Sequence, residues 1–265
     1  MAHRLVISGA TGRMGQALIA LIRADPELTV AAGIDQEARQ GADAQKFGCS
    51  EIMTASTAGN TLSSADAVID FSAPAGLQAL LTQCADDLAG KAIIVGTTGL
   101  SDELKARIAK AAERSPIIVS ANYSVGVNLM LGVVAAAARV LPAERFDVEI
   151  VETHHRHKAD APSGTALLLG STVAEARQSN LAEVRRDGRT GRTGERPPGE
   201  VGFHAVRGGE VVGEHRVLFL GAHERFEIAH AAADRGVFAE GALLAAKWLI
   251  GRKPGQYTMR DVLGL

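Results

Sequence analysis

Near the middle of the chain, Glu152 to Ala166 read ETHHRHKADAPSGTA. Three histidines, an arginine and a lysine fall within five positions, and a Pro-Ser-Gly-Thr turn follows closely. Such a stretch can hold a metal, attract a polyanion, or exchange protons with a small bound anion. His154, His155, His157 and Asp160 all carry metal-binding atoms, yet H-H-x-H lacks the i, i+4 pairing of a helical metal motif and no cysteine pair accompanies it. Adjacent strand residues point to opposite faces, so His154 and His155 rarely share one ion. No metal is expected. A solvated basic loop is the plainest alternative, but acid–base chemistry accounts for more of the residues. Histidine titrates near neutrality and exchanges protons with reacting atoms. Lysine supplies fixed positive charge, or a proton where neighbouring cations lower its pKa. Pro162 stiffens the approach to a helix capped by Ser163, and the first helical residues, Gly164 and Thr165, have N–H groups with no intrahelical partner. That terminus suits a carboxylate, so the segment fits an anionic substrate and a protonation step.

A second chemical motif stands near the start. Gly9, Ala10, Thr11, Gly12, Arg13, Met14 and Gly15 give a G-x-x-G-x-x-G spacing between a strand-like run and a helical one. Glycine is needed where the backbone turns sharply and where it approaches a pyrophosphate, and the helix N-terminus offers N–H groups to the phosphates. The spacing alone is weak, because glycine-rich strand-to-helix turns are common. Asp35 strengthens it, closing the second strand-like run 20 residues after Gly15, where an acid hydrogen-bonds the adenosine ribose. By itself Asp35 reads better as a turn residue after a strand, and its position relative to the glycine loop tips the balance. The expected cofactor is NADH or NADPH. Gln36 stands where an arginine would favour a 2′-phosphate, so the lean is to NADH or dual use, with Arg13 or Arg39 available to NADPH. Two further loops, Gly96, Thr97 and Thr98 in GTTG and Ser120, Ala121, Asn122 and Tyr123 in SANYS, follow strand-like runs. They could line a nicotinamide pocket, and ordinary turn chemistry explains either one as well.

The elements that must position these residues change character along the chain. Apolar, β-branched runs at 4–8, 29–35, 67–72, 92–96 and 117–120 read as parallel strands covered on both faces. Helical stretches separate them: Met14, Leu18, Leu21 and Ile22 share one face, and Ser101 is a plausible N-cap for SDELKARIAKAAERS. This alternation predicts an α/β fold with a Rossmann-type doubly wound parallel sheet. A helix over about 126–140 follows, then the strand FDVEIVET, the helix SGTALLLGSTVAEARQ, and a Gly/Arg/Pro-rich loop over 185–202. Three strand-like runs come next, GFHAVRGG, VVGEHRVLFLG and ERFEIAHAA, and the amphipathic helix FAEGALLAAKWLI closes the chain. Strands gathered together predict a second, α+β domain with a mixed or antiparallel sheet. The expected division is a dinucleotide-binding domain over 1–124, a substrate-binding and oligomerisation domain over 125–234, and a C-terminal helical segment, 235–265, returning to the first.

Bulk properties narrow the class. The chain has 265 residues, 46% hydrophobic and 22% charged, enough for a sizeable core. Lys+Arg 28 against Asp+Glu 30 gives a net charge of -2, which argues against nucleic acid as a partner. Cys49 and Cys84 form no paired motif and read as buried thiols of a reducing compartment. The N-terminal apolar run is too short for a signal peptide, and VGVNLMLGVVAAAARVL is interrupted by Asn128 and Arg139. A soluble cytoplasmic protein with no membrane partner is expected.

Taken together, GATGRMG, FSAP at 71–74, VGTTG at 95–99, NYSVGVN at 122–128 and ETHHRHKADAPSGTA resemble the dihydrodipicolinate reductase (4-hydroxy-tetrahydrodipicolinate reductase) family, from about residue 4 to the C-terminus. The resemblance implies NADH- or NADPH-dependent reduction of a cyclic dicarboxylate to tetrahydrodipicolinate, with loss of water, in lysine and diaminopimelate biosynthesis. It implies homotetramers assembled through the sheets of the second domain. It also implies that His154 is the proton donor or acceptor, Lys158 a second proton donor, and His155, Gly164 and Thr165 substrate-binding positions. By the same resemblance the cofactor positions are Gly9 through Gly15, Asp35, Gly96 to Thr98 and Ser120 to Tyr123. Thr11 replaces a glycine common in the family, Tyr123 a frequent phenylalanine, and Gln36 an arginine found in many members. Arg156 and His157 receive no role. The rival readings are another small reductase of a dicarboxylate or imino acid, and a cofactor-sensing module without turnover.

Overall fold

Short β-branched runs become strands because their side chains find apolar cover on both sides. In the computed structural model, which describes residues 2–265, one sheet contains β1 (His3–Ser8), β2 (Leu28–Ile34), β3 (Arg39–Gln40), β4 (Glu51–Met53), β5 (Ala67–Asp70), β6 (Ala92–Val95) and β7 (Pro116–Val119). The intervening helices are α1 (Arg13–Ala24), α2 (Ala42–Gln45), α3 (Gly59–Ser63), α4 (Pro74–Gln83) and α5 (Asp102–Ala112). β5 and β6 are buried at every position. Leu5, Ile7, Ile69 and Ile94 pack with Leu18 and Ile22 of α1, while Val6, Val68 and Ile93 pack with Leu77 and Leu80 of α4 and Ile108 of α5. Alternate side chains of the same strands thus feed two cores, as parallel sheets require. β2 and β5 flank β1 on opposite sides, and all these pairings are parallel except that of β3 with β4. Strand order therefore reverses at β1, which opens a crevice at the C-terminal ends of β1 and β5.

A different sheet follows α6 (Val125–Val140). It is built from β8 (Asp147–His154), β9 (Arg185–Asp187), β10 (Val201–Arg207), β11 (Gly213–Leu220) and β12 (Arg225–Ala232), with α7 (Gly164–Ala176) and α8 (Leu181–Val184) between β8 and β9. β11 pairs antiparallel with β8 and β12, whereas β10 pairs parallel with β8 and β9, so the sheet is mixed. Burial alternates strictly along β8. Val148 and Ile150 meet Met130 and Val134 of α6 and Leu169 and Val173 of α7, with Phe203, Val217 and Phe219 completing the core.

The chain falls into two compact units: the residues up to Val125 together with Arg235–Leu265, and Gly126–Asp234. Within the first, α9 (Gly236–Leu249) packs on α1, β6 and β7. Gly241 allows this approach, because a Cβ there would run into the carbonyl of Tyr123.

Three local expectations are corrected. The 29–35 and 67–72 runs end as strands at Ile34 and Asp70, leaving Asp35, Phe71 and Ser72 in loops. Residues 185–187 of the expected long loop form β9, and Arg185, Arg189 and Arg196 are ion-paired. Arg189 contacts Glu149 and Glu200, and Arg196 contacts Asp147 and Glu149. The chain continues past α9 into β13 (Gly255–Tyr257), which pairs with β7, and α10 (Met259–Leu263), started by a Thr258–Asp261 capping box. Three-residue strands are too short to show a period, which is why β9 and β13 escape pattern reading. Among the described residues, no helix is long and apolar enough to cross a membrane.

Candidate active site

The crevice of the first unit is a cleft of about 530 Å³ at the C-terminal ends of the strands. Gly9, Thr11 and Gly12 line it after β1, Asp35 and Gln36 after β2, Ala55 and Ser56 after β4, and Phe71 to Ala73 after β5. Gly9 has a positive φ of 78°, and a Cβ on it would meet the Phe71 carbonyl oxygen at 2.6 Å. Only glycine fits that turn without strain. Gly12 begins α1 with no side-chain cap, leaving the helix start open to an anion. This bare backbone at a helix terminus, with a carboxylate at the next strand end, fits a dinucleotide. The rest of the loop has another task. Ala10 and Gly15 are buried, Met14 packs on the core, and a Cβ on Gly15 would collide with the Gly9 carbonyl. Arg13 is exposed.

Thr11 does more than replace a glycine. Its N–H and hydroxyl donate to Asp35 Oδ2 at 3.0 and 2.6 Å, and the Gln36 N–H donates to Oδ1 at 2.9 Å. Burial pushes the Asp35 pKa up, but these donors outweigh it and hold the carboxyl below its ordinary value. Gln36 is exposed.

The other two expected loops lie outside this cleft's lining. Gly96 sits against the Phe71 ring, which leaves no space for a Cβ. Thr98 and Ala121 are exposed, whereas Thr97 is buried. Ser120 donates to the Asn122 carbonyl at 2.7 Å, and Asn122 Oδ1 accepts from the Ser124 N–H, so these residues make a self-bonded turn. Tyr123 points into the core, donating its hydroxyl to the Val95 and Ile118 carbonyls at 2.8 and 3.2 Å. Beneath the loops lies a residue sequence reading missed. Asp70 is fully buried and accepts hydroxyl hydrogen bonds from Ser8, Ser72 and Thr97 at 2.6, 2.6 and 2.5 Å.

In the second unit, β8 carries ETH to its end. His154 is its last residue and is 8% exposed, whereas His155 begins the following loop. His154 Nδ1 lies 2.5 Å from Glu152 Oε2 on the same strand face. Glu152, another missed residue, is 1% exposed and takes Arg207 Nη1 and Nη2 at 2.7 Å each, one on each oxygen, and the Ser163 N–H at 3.1 Å. Burial pushes the Glu152 pKa up, but Arg207, His154 and the Ser163 N–H hold it below the usual range. For His154, burial lowers the pKa and Lys158 and Arg207 add to that, while the Glu152 carboxylate raises it; the net shift is downward.

The Lys158 ammonium bonds Asp160 at 2.9 Å, and Arg207 also donates to the Asp160 carbonyl at 2.7 Å, so the loop is tied back to the strand. Ser163 caps α7 through Ala166 N–H at 3.2 Å and faces His215 Nε2 at 3.0 Å. Burial, with His154 nearby, drives His215 down to about 4. Gly164 is exposed and Thr165 half-buried at the first turn of α7. His155 Nδ1 is buried without a hydrogen-bond partner among the described residues. The arrangement offers an imidazole, an ammonium and a helix start within one continuous segment, chemistry suited to holding an anion and moving a proton.

Residues 3–123 match the family described as "Dihydrodipicolinate reductase, N-terminus", and residues 126–263 match "Dihydrodipicolinate reductase, C-terminus". A 4-hydroxy-tetrahydrodipicolinate reductase of Thiobacillus denitrificans is 45% identical over 269 residues, covering 100% of both chains. One of Caulobacter vibrioides is 44% identical, over 98% of this chain and 97% of the relative. Among solved structures, a dipicolinate-bound dihydrodipicolinate reductase from Paenisporosarcina sp. TG-14 shares the fold, with a TM-score of 0.76, 23% identity, and coverage of 98% of this chain and 99% of that one. Matched in both halves and along its full length, the chain belongs to the dihydrodipicolinate reductase family.

Proposed function

We propose that the chain catalyses NAD(P)H-dependent reduction of 4-hydroxy-tetrahydrodipicolinate to tetrahydrodipicolinate, with loss of water, in lysine and diaminopimelate biosynthesis. One observation carries this reading: in a chain matched to the family along its whole length, the end of β8 brings His154 and Lys158 directly before the Ser163-capped start of α7.

A bound reduced nicotinamide supplies the hydride. The protein's own groups hold the dicarboxylate and manage protons. The N–H groups of Gly164 and Thr165 take one carboxylate at the helix start, and His155 with Lys158 faces the other side of the ring. His154 donates the proton. Its pKa is low in the free protein, and a bound dianion raises it toward the protonated form. The Lys158 ammonium stabilises electron density building on the ring nitrogen and stands as a second proton source. Orientation and charge come from the protein, hydride from the cofactor.

Dinucleotide binding belongs, on this reading, to the first unit, within its residues up to Val125. Gly9 and Gly12, with Ala10 through Gly15 between and behind them, cradle the pyrophosphate, and Asp35 meets the adenosine ribose. The loops at Gly96–Thr98 and Ser120–Tyr123 frame the nicotinamide end. The ionised Asp35, the neutral Gln36 and an Arg39 stacked 5.1 Å over the Phe47 ring support NADH or dual use. The substrate and the subunit contacts belong to Gly126–Asp234. The sheet face opposite α6 and α7 exposes Val206 (47%) and Leu220 (36%), apolar surface suited to another copy in a homotetramer. Two buried free thiols, Cys49 and Cys84, suit the cytoplasm.

The test follows nicotinamide absorbance with substrate made in place from aspartate semialdehyde, pyruvate and the upstream synthase. Consumption with NADH at least as efficient as with NADPH is expected, and a strong NADPH preference overturns the cofactor reading. His154→Ala and Lys158→Ala each lower kcat by about 10²–10⁴-fold with the fold retained. Near-normal turnover in both removes the proton-transfer assignment.

A further inference from the structure

We propose that Glu152 is the positioning residue of this site: its carboxylate holds His154 as the Nδ1–H tautomer, leaves Nε2 for the reacting proton, and ties that imidazole to the Lys158 loop and the start of α7. The proposal rests on the reading of His154 as proton donor.

The geometry is that of a hub. A carboxylate offers about four lone-pair sites, and four donors reach Glu152: His154 Nδ1, both terminal nitrogens of Arg207, and the Ser163 N–H. The three residues that supply these donors each belong to a different structural feature. His154 ends β8, Arg207 ends β10, and Ser163 is the cap from which the carboxylate-binding start of α7 extends. Arg207 reaches on to the Asp160 carbonyl, and Asp160 holds Lys158. One buried side chain therefore fixes both groups assigned to protons and the terminus assigned to a substrate carboxylate.

With its acceptor sites filled and a guanidinium paired to both oxygens, Glu152 stays ionised while the imidazole gains and loses its proton. The hydrogen bond at Nδ1 sets the tautomer, since a neutral imidazole carries one N–H. At the other side of the ring, Gly213 leaves room: a Cβ there would stand 3.1 Å from Nε2. The charged and titratable groups around His154 are Glu152 on its own strand, Lys158 in the loop, Arg207 on β10 and His215 on β11, whose ring is 5.2 Å away. Of these only Glu152 favours the imidazolium. A buried ion pair kept for stability alone would be a poor device, because desolvation consumes most of its attraction.

The experiment compares wild type, Glu152→Gln, Glu152→Asp and His154→Ala, with fold checked by circular dichroism and thermal melting. Glu152→Gln keeps shape but removes the charge and presents an amide N–H₂. It should lower kcat by about 10²–10⁴-fold, leave the NADH KM within about two-fold, and move the alkaline limb of the kcat profile to lower pH by about one unit, the size of an ordinary environmental shift. Glu152→Asp should recover at least part of the rate and of the profile. Selectively ¹⁵N-labelled histidine in the wild-type enzyme should show neutral His154 protonated at Nδ1. A neutral His154 protonated at Nε2 overturns the proposal whatever the variants do. So does a folded Glu152→Gln enzyme with normal kcat, or one slowed with an unmoved alkaline limb. If His154→Ala itself turns over normally, the reading of His154 falls first. If His154→Ala is impaired while Glu152→Gln is not, only the role of Glu152 falls.

Discussion

Asp70 occupies a place that should be hostile to a carboxylate, fully buried at the end of β5. Hydroxyls of Ser8, Ser72 and Thr97 offset that cost, and they come from the loops or ends of β1, β5 and β6. Burial pushes its pKa up while the hydroxyls pull it back. One side chain thus clamps three strand ends around the crevice proposed to take the cofactor. Asp70→Asn keeps the shape and turns one acceptor into a donor facing hydroxyls. Each mismatched buried polar group costs about 1–3 kcal/mol. The variant should melt lower and bind NADH about ten-fold more weakly in a fluorescence titration, a change of about 1.4 kcal/mol. A folded variant with unchanged NADH affinity would detach Asp70 from the cofactor loops. At this scale the conspicuous residues were legible and their supports were not. The clustered histidines and lysine stand out by composition, whereas Asp70 reads as one polar residue in AVIDFS. Glu152 shares a strand face with His154 two positions on, a relation the alternation contains. Arg207 lies 55 residues from Glu152 and opposite His154 only through the parallel register of β8 and β10, which no local pattern carries.

A missing side chain serves two elements in different ways. Gly241 lets α9 lie against the backbone of Tyr123, whose own hydroxyl bonds the ends of β6 and β7. Gly164, at the first turn of α7, faces open space at its Cβ position. Alanine at these two glycines should therefore act in opposite ways. Gly241→Ala forces α9 away from the 120–124 loop and should cost about 1–3 kcal/mol or more, read as a lower Tm. Gly164→Ala should leave Tm nearly unchanged while raising the substrate KM, because its methyl group would stand where the proposed reading brings a carboxylate to the helix start. Equal melting losses at both sites would contradict the packing argument. The longer elements were readable because their periods run over enough residues: β1, β2 and the four-residue runs of β5 and β6 by continuous apolarity, α5 by its Ser101 cap, α7 by Ser163. β3, β9 and β13, of two or three residues, exist through their neighbours' hydrogen bonds and leave no period of their own. Nothing local in 185–202 pairs Arg189 and Arg196 with Glu149, and it takes the fold to bring that carboxylate to them.

Across the molecule, the acid side of the stability curve should be governed by histidines buried as neutral rings in Gly126–Asp234. His215 is 4% exposed, and its pKa is driven to about 4 by burial, with His154 adding to the shift. Its Nε2 faces the Ser163 hydroxyl, and its Nδ1 has no acceptor among the described residues, so a second proton would sit on a buried donor without a partner. Burial lowers His154 and His230 in the same direction. In the unfolded chain these rings titrate near 6.5, so between about pH 6.5 and 4 the unfolded state binds more protons than the folded one. The stability they contribute is complete above pH 6.5 and is lost progressively as pH falls toward the folded value. His215 alone accounts for about 3 kcal/mol over that window, from 1.36 kcal/mol per pKa unit. The lowered carboxyls Glu149 and Glu152 add a second loss that begins only below their unfolded values near 4.5. Thermal melts should therefore be flat from pH 8 to about 7 and fall steadily from pH 6.5 to 5, before those carboxylates are protonated. His215→Asn, which removes the titrating ring, should melt lower at pH 8 yet lose less on going to pH 5 than wild type does. A variant with the wild-type slope over that interval would show that some other group sets the acid limb.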